Sequence, residues 1–274
     1  MRTVLVQVPY ELGRPGVGLA TGVPVLAEAL AAELSAETAV VEPSGGSWNE
    51  VGASMDVVRA VAQTVGEVVA RGDFPFVLSG TCSSALGTVA GLGSPAGLGV
   101  VWLDAHGDFN TPETSPTGFF DGMPLAMLTG SGWEALRAGV DELCPVDEAN
   151  VVLVGARDLD RAEEERLERS AVRRVAVGQA IEPALDALSA RVSDVYVHVD
   201  LDVLDPSEGQ ANRYRSDGGM TAEDVAAVVG EVARRFTVRA AAITAYEPAY
   251  DPEGTVPEAA TRIARRIVGT AVTA

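Results

Sequence analysis

The sequence predicts an α/β fold: one three-layer αβα sandwich, residues 1–274, around a mostly parallel eight-stranded sheet. Strand-like and helix-like stretches alternate about eight times, with no linker or low-complexity segment between them. The strand candidates are short apolar runs such as Val100-Val101-Trp102-Leu103, which suit strands covered on both faces. The chemically distinctive polar residues follow the ends of these runs, where open parallel sheets hold their ligands.

In chain order, Thr3–Val8 alternates and branches like a strand. Gly22–Leu34 places Val25, Leu26, Leu30 and Leu34 at helical spacing. Thr38–Val41 reads as a short strand. Met55–Arg71 reads as a helix with Val57, Val58, Val61, Val65 and Val69 on its apolar face. Phe74–Leu78 is a strand and Ser83–Leu92 the helix packed under it. After the run at Val100, a helix is expected from about Met123. Val151–Val154 is a strand, Asp160–Ser170 a charged helix, Val175–Val177 a short strand and Ile181–Arg191 a helix. Tyr196–Val199 forms another strand. Thr221 then caps a helix to about Arg235, with Glu223 and Asp224 in its first turn. Val238–Tyr246 is the last strand and Pro257–Val272 the closing helix.

A net charge of -19 argues against nucleic acid or an anionic membrane surface as partner. All 20 basic residues are Arg. No apolar run reaches membrane-spanning length, and MRTVLVQVPY enters a strand without a signal-peptide pattern. Two cysteines, Cys82 and Cys144, imply no disulfide framework, and a reducing cytoplasm is the expected location.

Chemistry concentrates where the apolar run at Val100 turns polar, with Asp104, His106 and Asp108 at every second position. A second apolar strand ends the same way, in Asp200 and Asp202, closed by Asp205-Pro206. Carboxylates leaving buried strands are costly to desolvate unless a cation sits between them. An acidic turn facing water is the alternative for either motif alone, and the repetition argues against it. Cys82, Asp158, Asp160 and Glu247 follow other strand ends, so five ends deliver acidic or soft ligands to one edge.

These residues resemble the arginase family of ureohydrolases over nearly the whole chain. The family's D-A-H-x-D-x-N motif is matched by Asp104-Ala105-His106-Gly107-Asp108-Phe109-Asn110, and its D-x-D-x-x-D-P motif by Asp200-Leu201-Asp202-Val203-Leu204-Asp205-Pro206. An aspartate-rich turn is matched by Asp158-Leu159-Asp160 with Glu163, and an acid near the last strand by Glu247. The resemblance implies a site of two Mn²⁺ ions acting on a small guanidino substrate. Carried over, Asp104 and Asp200 bridge both ions, His106 and Asp202 complete one shell, and Asp108 with the residue at the Cys82 position completes the other. Hydroxide formed at neutral pH attacks the guanidinium carbon. Asp108 passes a proton to the departing amine, and Glu247 pairs with the guanidinium. Asn110 and Thr117 match positions that hold an α-carboxylate, and Asp160, beside Glu163, the α-amino group. The family forms trimers, so a homo-oligomer is an open expectation.

Three departures bear on the substrate. Where the family has G-G-D-H, this chain has Ser79-Gly80-Thr81-Cys82. Cys82 is either a small buried hydrophobe or a thiolate ligand, and a strand end facing the cluster favours ligation. Asp121 stands where arginases carry a proton-shuttling His, and Phe119 where the family has Asn. His198 reads as a core or supporting histidine rather than a ligand. The Cys variant resembles the antibiotic-pathway branch that converts Nω-hydroxy-L-arginine to hydroxyurea and ornithine, which makes that reaction the leading expectation. The alternatives are arginine, agmatine, a guanidino acid or formiminoglutamate as substrate, or a non-catalytic metal-binding relative.

Overall fold

A computed structural model describes residues 1–271. Eight strands make one sheet: β1 (Thr3–Val8), β2 (Glu37–Val40), β3 (Phe74–Ser79), β4 (Gly99–Leu103), β5 (Val151–Val154), β6 (Arg173–Val175), β7 (Asp194–Asp200) and β8 (Thr237–Thr244). Their order is β2-β1-β3-β8-β7-β4-β5-β6, and every neighbouring pair is parallel.

Alternate residues of each strand feed opposite layers, as the pleat requires. Leu5, Phe76, Val101 and Val197 pack with helices α1 (Gly22–Leu34), α7 (Glu182–Ser189), α8 (Ala222–Arg235) and α9 (Val256–Ala271). Val4, Val77, Trp102 and Tyr196 pack on the other side with α2 (Glu50–Ala70), α3 (Ser84–Gly91) and α4 (Pro124–Leu128). The short α5 (Glu134–Arg137) and the charged α6 (Arg161–Arg169) complete the helices, and Leu167 of α6 joins this second layer. Among the described residues, no helix is long and apolar enough to cross a membrane.

Several boundaries differ from the sequence reading for local reasons. Helix α2 starts five residues before Met55, because Asn49 Oδ1 accepts the Gly52 N–H at 2.7 Å and caps it there. Strand β6 spans Arg173–Val175 rather than Val175–Val177. It is an edge strand, and Arg173 and Arg174, which carry no apolar signal, pair with Val152 and Leu153. Strand β8 stops at Thr244, since Ala245 turns into the left-handed region at φ 63. The helix expected from Met123 is the short α4. The closing helix was expected to reach Val272, which lies outside the described residues. The Thr221 cap is present as a reciprocal box: Thr221 Oγ1 accepts the Asp224 N–H at 3.1 Å, and Asp224 accepts the Thr221 N–H at 3.4 Å.

Candidate active site

The strand order puts the C-terminal ends of β3, β8, β7, β4 and β5 in a row, which brings the sequence-distant acids together. Asp104 leaves β4 with one oxygen on the Trp102 indole N–H (3.1 Å) and the other on the His106 backbone N–H (2.7 Å). His106 Nδ1 lies 3.3 Å from Asp104 and 3.4 Å from Asp202. Asp202 also accepts the Ala105 N–H at 3.2 Å, tying the β4 and β7 ends together. Asp200 accepts the Asp202 N–H at 2.8 Å, and its other oxygen lies 3.0 Å from Cys82 Sγ.

Two groups of ligand atoms have the compactness a metal ion needs: Cys82, Asp104 and Asp108, and Asp104, His106 and Asp202. Within each group the atoms lie within 4.8 Å of one another. Asp104 is common to both. Asp108 completes the first on a backbone held at φ 48, unusual for a non-glycine residue, and its buried Oδ2 has no hydrogen-bond partner among the described residues.

Burial dominates the electrostatics. It pushes Asp104 up to about 6, with Asp202 adding repulsion. Asp108 and Asp200 are driven well above the carboxylate range by burial and then by neighbouring aspartates, and the buried Cys82 thiol is raised by the same causes. Burial opposes ionisation of Asp202 most strongly, but His106 together with hydrogen bonds from the Ala105 backbone and Asp200 outweighs it and holds that carboxyl at about 2. Such a cluster is poised for a cation.

The remaining expected residues, Glu247 excepted, surround this cluster. A cavity of about 210 Å³ is lined by Cys82, His106, Asp108, Asp200 and Asp202 on its floor side, and by Asn110, Thr117, Asp121, Asp160 and Glu163 around them. Asn110 Nδ2 donates to Asp160 at 3.0 Å, and Thr114 donates to Asn110 Oδ1 at 3.0 Å. Glu163 accepts the Phe109 N–H at 2.8 Å and the Asp160 N–H at 3.3 Å, so it joins the loops after β4 and β5; burial raises it to about 7. Asp121 accepts the backbone N–H groups of both Cys82 (3.0 Å) and Ser83 (2.9 Å), and burial raises it to about 6. Two of the three departures from the family pattern, Cys82 and Asp121, are thus bonded to each other.

Glu247 does not line this cavity. Its Oε2 is taken by the Arg213 guanidinium, with Nε at 3.0 Å and Nη2 at 2.9 Å. Sequence reading missed Arg213, Asn212, Tyr214 and Thr244, which lie outside the motifs. Thr244 links Cys82 Sγ (3.2 Å) to His198 Nε2 (3.3 Å). His198 is fully buried, stacked on Trp102 at 3.6 Å and bonded to the Tyr196 hydroxyl at 2.8 Å; burial lowers it to about 3. It is a neutral core histidine, as its position in the strand pattern suggested.

The Cys82 turn depends on Gly80. A Cβ there would collide with the Tyr10 carbonyl and lie 3.0 Å from the Ala20 nitrogen. Gly80→Ala is therefore expected to lower stability by ~1–3 kcal/mol, the usual cost of overpacking against backbone. It should weaken metal binding as well, read from Tm with and without Mn²⁺. An unchanged Tm would mean that the turn relaxes freely.

A model of the arginase family matches residues 2–269. The chain belongs to the arginase family. The chain is 42% identical over 158 residues to the arginase of Bacillus subtilis, a stretch covering 54% of this chain and 53% of that relative. The arginase of Bacillus caldovelox is 38% identical over 170 residues, covering 59% of this chain and 57% of its own. These alignments span about half the length of the curated relatives. Structural similarity extends further: the crystal structure of arginase from Bacillus subtilis superposes with a TM-score of 0.89 at 29% identity, covering 98% of this chain and 99% of that one. The sheet with helices on both faces is this family's fold.

Proposed function

We propose that this arginase-family chain hydrolyses a guanidino amino acid with two Mn²⁺ ions, and that Nω-hydroxy-L-arginine is the preferred substrate. The observation that carries the metal reading is Asp108: a buried carboxylate oxygen without a partner, on strained backbone, aimed among Cys82 and Asp104. The donor set fits hard divalent ions, with Asp104 shared between two groups and Cys82 the single soft ligand. Asp200, outside both compact groups but 3.0 Å from Cys82 Sγ, would add a further carboxylate to hold the ions. The bound ions would supply an activated water and polarise the amidine carbon.

The residues around the cluster then divide the remaining work. Asp160 and Glu163 would hold the α-amino end, with Asn110 and Thr117 at the α-carboxylate. Asp108, whose Oδ2 is free of other partners among the described residues, would pass a proton to the departing δ-amine as the C–N bond breaks. Glu247 stands outside the cavity lining with one oxygen on Arg213, so it would meet the guanidino group only where the substrate competes with that cation. Asp121 holds the Cys82 turn through two backbone N–H groups, and its remaining lone pairs offer an acceptor to a substrate N–OH. The cavity has no spare imidazole: His106 belongs to the cluster and His198 to the core.

The test is kcat/KM for Nω-hydroxy-L-arginine and L-arginine, with hydroxyurea and urea quantified. The hydroxylated substrate is expected to win by at least ~10-fold, well within what an unpaired polar group can impose. Cys82→His should narrow the ratio. Equal or better use of plain arginine by the parent would sink the substrate assignment.

A further inference from the structure

We propose that Arg213 is a specificity-determining residue that competes with the substrate for Glu247 and selects against a fully cationic guanidinium. The inference rests on the reading of Glu247 as a partner of the substrate's guanidino group, and it explains how one arginase-family site favours an uncharged N-hydroxyguanidine.

Arg213 is placed deliberately. The segment before it is zipped to the end of β8: the Glu247 N–H donates to Ala211 O at 2.8 Å, and Asn212 Nδ2 donates to Ala245 O at 2.8 Å. The Tyr214 N–H then bonds Asn212 Oδ1 at 2.7 Å, so Arg213 projects from a fixed turn. Its guanidinium puts both Nε and Nη2 on a single oxygen of Glu247 and reaches Glu11 Oε2 at 3.4 Å. Glu11 is itself buried and held by the Leu19 N–H at 2.9 Å. Room for this pair depends on Gly18, whose φ is +51 and where a Cβ would strike both the Glu11 carboxylate and Arg213. The cavity begins within two residues of Gly18, Arg213 and Glu247, since Leu19, Tyr214 and Ala245 line it.

The consequence follows from hydrogen-bond geometry. A guanidinium is held best by a carboxylate that gives it both oxygens in a two-armed fork. Glu247 has only Oε1 left, and the competing group is itself a cation. A guanidinium substrate would receive one arm and face a like charge at close range. An N-hydroxyguanidine is less basic, so more of it can enter uncharged and escape the repulsion; with its hydroxyl on Asp121, a single N–H suffices for the one free oxygen of Glu247.

Arg213→Gln removes the competitor. It is expected to shift the ratio of kcat/KM toward L-arginine by ~10-fold or more, chiefly through a lower KM for arginine, since a neighbouring like charge is removed. Because Glu11 loses a partner in that variant, Glu11→Gln/Arg213→Gln is made beside it to preserve folding, and the same shift is expected. Arg213→Lys, which keeps the charge but loses the two-point grip, should fall between. Calorimetric affinities of the two substrates are measured in all four proteins. An unchanged ratio of affinities and of kcat/KM in variants that keep the parental Tm would overturn the assignment and make the triad merely structural. If the parent turns over neither substrate, the functional reading fails, but calorimetry still decides the role of Arg213: a shift toward arginine supports it and parity overturns it.

Discussion

Asp104→Asn is expected to cost the protein both metal ions together, lowering Mn²⁺ content from two per chain to near none after gel filtration. The reason is geometric. Asp104 is the one side chain present in both compact ligand groups, with Cys82 and Asp108 on one side and His106 and Asp202 on the other. Its orientation is fixed from behind by the Trp102 indole and the His106 backbone N–H. An asparagine keeps one acceptor oxygen but removes the negative charge that two cations would share. Losing an outer partner of a ligand costs ~10–100-fold in affinity, and losing a shared ligand should exceed that. Cys82→Ser and His106→Asn should behave differently, each weakening one ion while the other stays. Elemental analysis after dialysis against limiting Mn²⁺ separates these outcomes. An Asp104→Asn protein that held one ion at parental affinity would show that the groups do not share this carboxylate.

Much of this site was legible in the chain because its ligands sit at strand ends, and the ends of buried strands announce themselves as apolar runs turning acidic. Asp104, His106, Asp200 and Asp202 belong to such transitions. Helix starts were legible where a side chain does the capping in an expected place, as at Thr221, and not where the cap lies upstream of the apolar stripe, as at Asn49. Edge strand β6 was displaced because an edge tolerates arginines and loses the apolar signal. Two pairings beside the cluster left no trace in periodicity. Arg213 meets Glu247 across 34 positions, and Asp121 meets Cys82 across 39. Cys82 and Asp121 each stood out as a substitution, but only the fold reveals that the carboxylate holds the cysteine's own backbone.

Metal-free protein is expected to lose stability as pH rises from about 4 to 7, and Mn²⁺ to reverse that trend. Burial raises Asp104 and Asp121 to about 6 and Glu163 to about 7. In the unfolded chain these groups ionise near ~4. A raised folded pKa means that the native state holds its protons longer, so its stabilising contribution is complete below about pH 4 and is lost as pH climbs through 6 and 7. Each shift of roughly two units corresponds to ~3 kcal/mol. His106 extends the decline. Burial pulls it down, but Asp202 and Asp104 raise it well past its ordinary value, so above about pH 6.5 the unfolded chain releases that proton while the native state does not. Asp202, held at about 2, acts in the opposite sense and costs stability only on the acid side of about pH 4. Metal binding requires the carboxylates ionised, so the repulsion that weakens the metal-free cluster becomes ligation. The Tm gap between Mn²⁺-loaded and EDTA-treated protein should therefore be small at pH 4.5 and open by at least roughly 6–12 °C by pH 7.5 from the ligand Asp104 alone, given ~2–4 °C per kcal/mol for a chain of about this size. A metal-free Tm that stays flat or rises between pH 5 and 7 would mean that burial does not hold protons on these acids in the native state.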